Sequence, residues 1–130
     1  PREHEKADYF RWLFFAAGPL EQAVTNKAYG WNPDEKQEIA VGFGNYDKTI
    51  DALEGWFASH DYVCGTRFTM ADVYVGSAVD WGLVFGTIPA RDSLAAYAER
   101  VRQREAYQAS KAIDNALIAE MQANDTGSGG

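Results

Sequence analysis

Few side chains in this sequence have the types and spacing that chemistry requires, and each has a plainer structural explanation. Cys64 is the single cysteine, which excludes an internal disulfide and a paired-cysteine metal or redox site. Packing in a loop is favoured over reactivity of its thiol. His4 and Asp8 have the i,i+4 spacing of two ligands on one helix face, but two ligands do not complete a zinc site. For Asp80, within an apolar stretch, a hydrogen-bonded structural carboxylate is favoured over a pocket role. We therefore predict no catalytic residue and no metal ligand.

Thr69 and Asp72 have the spacing of a helix capping box. The Thr69 hydroxyl would accept the backbone N–H of residue 72, and the Asp72 carboxylate would accept the N–H of residue 69. Phe68 and Val73 flank the box and can close a hydrophobic staple. Because no base or nucleophile accompanies Asp72, the pair is interpreted as structural. Residues 73–85, which follow, are apolar nearly all round, and this predicts a helix in the middle of a bundle.

Size and charge limit the class of protein. A chain of 130 residues with 46% hydrophobic residues predicts one globular domain. The net charge of −7 repels phosphate backbones and anionic membranes, so no nucleic-acid or membrane partner is expected. Without a signal peptide or an apolar run near the length of a membrane span, the chain is interpreted as cytoplasmic. It starts Pro1-Arg2 rather than with methionine, which favours a piece of a longer protein.

The elements that position these residues are all helical, since no segment shows period-two alternation. We predict an all-α bundle of about five main helices. The first spans residues 3–25 and bends at Gly18-Pro19, because proline removes a backbone hydrogen bond. Between residues 9 and 17 only Arg11 is polar, so aromatic side chains cover more than one face and imply a second partner surface.

A second helix is predicted from a cap at Asn32 to residue 57, with Pro33 in its first turn. Its apolar stripe recurs at steps of three and four, at Ile39, Phe43, Tyr46, Ile50, Leu53 and Phe57. Gly42 and Gly44 interrupt it, and they mark either close approach of a neighbouring helix or a local distortion.

A loop at residues 60–67 precedes the central helix, and a break at residues 86–89 ends it. Two further helices are predicted after this break. One begins near Ser93, with Leu94, Tyr97, Ala98 and Val101 directed inward. The other spans about residues 107–121 and repeats the inward pattern at Ile113, Ala116 and Leu117. Residues 125–130 are predicted to be a disordered tail.

Three segments together resemble the C-terminal domain of glutathione S-transferases, most closely that of bacterial members. They are residues 11–15 (RWLFF), residues 62–73 (YVCGTRFTMADV) and residues 94–100 (LAAYAER). The resemblance covers about residues 1–124. It implies that a thioredoxin-like N-terminal domain, absent from this chain, binds glutathione as the co-substrate.

The same resemblance implies that this helical domain shapes a hydrophobic electrophile site, supports a homodimer interface and is not catalytic alone. On that basis Tyr9, Trp12, Phe15 and Gln22 are expected to form the wall against the small-molecule electrophile, although packing in the core is an equal alternative for the three aromatic residues. The competing hypothesis is a non-catalytic protein-interaction module, since domains resembling this one also serve as docking units in translation factors and aminoacyl-tRNA synthetases.

Overall fold

The computed structural model describes residues 1–127, and within that range it is helical with no β-strand. The α-helices are α1 (Lys6–Phe15), α2 (Glu21–Ala28), α3 (Glu35–Ala40), α4 (Tyr46–Phe57), α5 (Met70–Phe85), α6 (Asp92–Arg102) and α7 (Glu105–Gly127). Helix α3 is short, and α1 and α2 are continuous through a π-helical turn at Ala16–Leu20. The all-α bundle of about five main helices is therefore confirmed.

The turn between α1 and α2 lies at the predicted bend. Pro19 is inside it, and because proline has no backbone N–H to donate, the helix widens there into a π turn. The turn buries Ala16 and Leu20 in the core. The first helix then continues to Ala28, slightly beyond the predicted end at residue 25.

The single long helix predicted from Asn32 to residue 57 is wrong. Helix α3 begins later, after Asp34, whose carboxylate caps it, and it ends at Ala40. Gly44 then has a φ of +71°, a left-handed conformation that glycine adopts readily, and Asn45 caps the start of α4. The glycine pair therefore marks a local distortion, not a close helix contact.

The break also changes the predicted apolar stripe. Ile39 is 89% exposed, because α3 does not continue the face of α4. The stripe holds from Phe43 onward, where Ile50, Leu53 and Phe57 are buried.

The core lies between the first helix (α1, the π turn and α2), α4, α5 and α6. Helix α5 packs against α1, the π turn and α6, and α4 packs against α2, the π turn and α6. The inward residues predicted on α6 are all buried: Leu94, Tyr97, Ala98 and Val101. Phe57 and Tyr97 stack with ring centroids 3.7 Å apart, which joins α4 to α6.

Helix α5 is buried on one face only, so the prediction that it lies in the middle of the bundle is wrong for its outer face. Its inner face includes Val75 and Val79, whereas Trp81, Val84 and Phe85 are exposed. Tertiary packing decides this, because the neighbouring helices cover the inner face alone.

Helix α7 extends away from the bundle. Among the described residues its backbone approaches α6 alone, and Ile113, Ala116 and Leu117 are exposed, contrary to the inward pattern predicted for them. The predicted tail starts at residue 125, yet the helix runs to Gly127; residues 128–130 lie outside the described part of the chain. No helix within residues 1–127 combines the length and apolarity needed to cross a membrane.

Candidate functional site

The start of α5 is organised around the carboxylate of Asp72. The capping box with Thr69 is present, and Asp72 Oδ2 accepts the backbone N–H of Thr69 at 2.9 Å. The same side chain also accepts the N–H of Val63 at 2.8 Å and the Tyr97 hydroxyl at 3.0 Å. Asp72 therefore joins the preceding loop, α5 and α6 from a fully buried position.

These contacts explain the titration behaviour of the buried pair. Burial raises the pKa of Asp72, and the hydrogen bonds from Val63, Thr69 and Tyr97 oppose that rise. Burial and the neighbouring Asp72 carboxylate raise the pKa of Tyr97. The Tyr97 hydroxyl therefore keeps its proton and donates a hydrogen bond to the carboxylate, as a structural link requires.

Cys64 lies beside this cluster, half-buried. Its sulfur is 3.8 Å from the backbone oxygen of Glu5 and 3.8 Å from Thr69 Oγ1. Burial raises the pKa of the Cys64 thiol, which disfavours the reactive thiolate form. Glu5 is held separately by Arg67, whose Nε donates to Glu5 Oε1 at 2.8 Å. The hydrogen bond from Arg67, together with one from the backbone N–H of Arg2, lowers the pKa of Glu5 to about 2.

Asp80 is a hydrogen-bonded carboxylate, the interpretation that the sequence favoured. Arg102 Nε donates to its Oδ1 at 2.6 Å, and the Tyr107 hydroxyl donates to its Oδ2 at 2.6 Å. These contacts tie α5 to α6 and to the first turns of α7. Asp80 also borders a cavity between α5 and α7, which we call the second cavity to distinguish it from the groove between α2 and α5. Lys111 and Asp114 contribute further charges there.

An apolar groove of about 500 Å³ lies between α2 and α5, and we call it the α2–α5 groove. Its main lining residues are Leu20, Glu21 and Val24 on one side and Tyr74, Trp81 and Phe85 on the other. Gly82 allows Ile88 to close the floor, since a Cβ at residue 82 would lie 2.5 Å from Ile88 Cδ1. The volume is in the range of small-molecule sites, about 300–1,000 Å³.

The four residues predicted to contact the electrophile do not line this groove. Trp12 is 2% exposed and belongs to the core, while Tyr9 and Phe15 are half-buried and pack against that core. Gln22 is exposed on α2, next to the groove residue Glu21. Ligand contact by the four stays a prediction.

Sequence reasoning missed the aromatic rings that α5 contributes to the groove. Trp81 and Phe85 are four residues apart, and their rings stack with centroids 5.1 Å apart. That i,i+4 aromatic pair, on a helix already too apolar for one buried face, is the signal that identifies the outer face of α5. The opposing Glu21 gives no comparable signal in the sequence.

The surplus apolar face predicted on the first helix is exposed. Phe14 is 67% exposed and Phe10 is 46% exposed, and their rings stack with centroids 6.4 Å apart. The Arg11 guanidinium lies 5.1 Å from the centre of the Trp12 ring. The face is available to a second subunit or domain.

Comparison with known proteins agrees with this architecture. The sequence matches the family described as "Glutathione S-transferase, C-terminal domain" over residues 11–105. That span contains the capping box, the whole α2–α5 groove and the buried face of α6. Searches among curated proteins and among solved structures gave no significant match. A closer relation to bacterial members stays a prediction. Since the matched region is well over half of the chain, the protein belongs to the glutathione S-transferase C-terminal domain family.

Proposed function

We propose that this chain is the C-terminal domain of a cytoplasmic, homodimeric glutathione S-transferase-like enzyme that conjugates glutathione to electrophiles. In that enzyme it forms one wall of the hydrophobic electrophile site, while a thioredoxin-like domain binds glutathione. The observation that supports this most directly is the α2–α5 groove, an open apolar site in a domain of this family.

The chemistry of the groove fits a positioning role. Among the described residues that line it there is no cysteine or histidine, and the Ser77 hydroxyl is engaged with the backbone oxygen of Val73 at 2.5 Å. In the proposed reaction glutathione supplies the attacking sulfur, which forms a bond to the electrophilic carbon while the leaving group departs from that carbon as an anion. The groove contributes by holding the apolar part of the electrophile away from water and in a fixed orientation.

The exposed rings around the groove support a covering domain. Trp81 is 53% exposed and Phe85 is 66% exposed. Adjacent exposed aromatic rings of this kind are typical of a surface that another domain or a ligand covers. Burying such rings contributes about 25 cal/mol per Å² of apolar surface, so a neighbouring domain would be stabilised against this face.

The test is kinetic and uses the parent protein with its glutathione-binding domain. We expect Trp81→Ala to raise the KM for an aryl halide about tenfold, because part of the apolar contact is lost, and to leave the KM for glutathione unchanged. Trp31→Ala is the matched control, since Trp31 is also partly exposed but lies outside the groove. The 130-residue chain alone should show no turnover above the uncatalysed rate.

Two results would contradict the proposal. Unchanged KM values in a folded Trp81→Ala enzyme would remove the groove from the electrophile site. A parent protein that turns over no electrophile but binds another protein through the outer face of α5 would support the interaction-module alternative.

A further inference from the structure

The α2–α5 groove contains an unpaired carboxylate. Among the described residues that line it, Glu21 is the one with a formal charge. Glu21 lies in the first turn of α2, its side chain is exposed, and no ion pair joins it to another residue within the described range. An apolar groove with one free negative charge at its edge is complementary to a ligand with one positive charge.

The opposite wall also favours a cation. Tyr74, Trp81 and Phe85 present aromatic rings, whose faces carry partial negative charge and attract ammonium groups. The Lys111 ammonium already lies 5.2 Å from the centre of the Trp81 ring. Lys111 belongs to α7 and lines the second cavity, between α5 and α7, instead of the groove, and no ion pair joins it to Glu21 among the described residues.

We propose that the groove selects organic cations, namely ligands with a quaternary or protonated ammonium next to an aromatic or aliphatic body. The ammonium lies between Glu21 and the rings of α5, and the apolar body fills the floor near Ala78 and Ile88. The net charge of −7 also favours approach of a cation from solution. This inference rests on the proposed function and specifies the electrophile class that the same site would accept.

A pair of probes of equal shape tests the charge preference directly. Phenyltrimethylammonium and tert-butylbenzene differ by one positive charge, and benzoate supplies a negative one. Binding to the 130-residue chain is followed by the NMR shift of the Trp81 indole N–H. We expect the cation to bind about tenfold more tightly than the neutral probe, and benzoate to bind more weakly than both.

Two variants test whether Glu21 causes the preference for the cationic probe. Glu21→Gln should reduce the preference for the cation to about twofold and leave binding of tert-butylbenzene unchanged. Glu35→Gln removes an equivalent exposed carboxylate at the start of α3, outside the groove, and should preserve the full preference.

The outcomes separate this inference from the proposed function. Equal binding of cation and neutral probe, or an unchanged preference in Glu21→Gln, would overturn the cation inference and leave the groove a general apolar site. Failure of both probes to shift the Trp81 signal would overturn the cation inference and remove the groove from the proposed function as well.

Discussion

Removing the Asp72 carboxylate should destabilise the domain far more than losing an ordinary helix cap. Asp72→Ala leaves the N–H groups of Val63 and Thr69 and the Tyr97 hydroxyl without their acceptor. Each buried donor left unsatisfied costs about 1 kcal/mol or more. Burying the Asp72 carboxylate has a desolvation cost, which also raises its pKa, and removing the carboxylate recovers that cost. We therefore expect a net loss of about 3 kcal/mol in the free energy of unfolding.

Thr69→Ala supplies the comparison, since its backbone N–H still donates to Asp72. It removes the hydroxyl that lies 3.3 Å from Asp72 Oδ2, and it should cost about 1 kcal/mol. Asp92→Ala is the control, an exposed acid in the first turn of α6, and should change stability by less than about 0.5 kcal/mol. Urea unfolding followed by circular dichroism and tryptophan fluorescence measures all three variants.

A double-mutant cycle with Tyr97→Phe makes the test specific. In the wild-type background this change should cost about 1 kcal/mol, because one hydrogen bond to a carboxylate is lost. In the Asp72→Ala background it should be neutral or stabilising, because it removes a buried hydroxyl that has lost its acceptor. The reasoning fails if Asp72→Ala costs no more than Thr69→Ala, or if Tyr97→Phe costs the same in both backgrounds.

Three further predictions concern other parts of the molecule. Gly82→Ala should lower the free energy of unfolding by about 1–3 kcal/mol, because its Cβ would lie 2.5 Å from Ile88 Cδ1. Gly55→Ala has no atom within 4 Å of its Cβ and should raise the free energy of unfolding by up to about 1 kcal/mol. Thermal melts of both variants show whether each change has the expected sign. Hydrogen bonds from Arg67 and from the backbone N–H of Arg2 lower the pKa of Glu5 to about 2 from 4.5, so its charged form stabilises the fold fully above pH 4.5. The stability difference between wild type and Glu5→Gln should shrink as the pH falls from 4.5 towards 2, and urea melts showing a constant difference would contradict this. Finally, sedimentation at several concentrations should show a dimer that Phe14→Ser dissociates; a strict monomer would show that this exposed ring is no interface.

Local patterns were sufficient for much of the fold. The capping box at Thr69 and Asp72 and the irregular turn at Pro19 depend on atoms within one turn, so residue types and spacing predict their positions. The buried faces of α4 and α6 follow from helical periodicity in the same way. The break before α4 also had a local signal, since Gly44 followed by Asn45 is a turn glycine followed by a cap.

The candidate site was not accessible from the sequence. The residues expected to contact a ligand lie on α1 and α2, and Trp12 among them is buried in the core. The groove is lined instead by residues that include Glu21 and the aromatic rings of α5.

Sequence by itself therefore determined the helical class and the capping box at Thr69 and Asp72, because these depend on short-range backbone geometry and on apolar periodicity. The resemblance of its sequence segments indicated the family. Only the tertiary structure decided that Asp72 also binds Val63 and Tyr97, and that one face of α5 is left uncovered. The physical reason is that such contacts join residues distant in the chain, whose relative positions are fixed when several helices pack together. Periodicity shows that a helix face is apolar, and packing decides whether that face becomes core or remains an open surface.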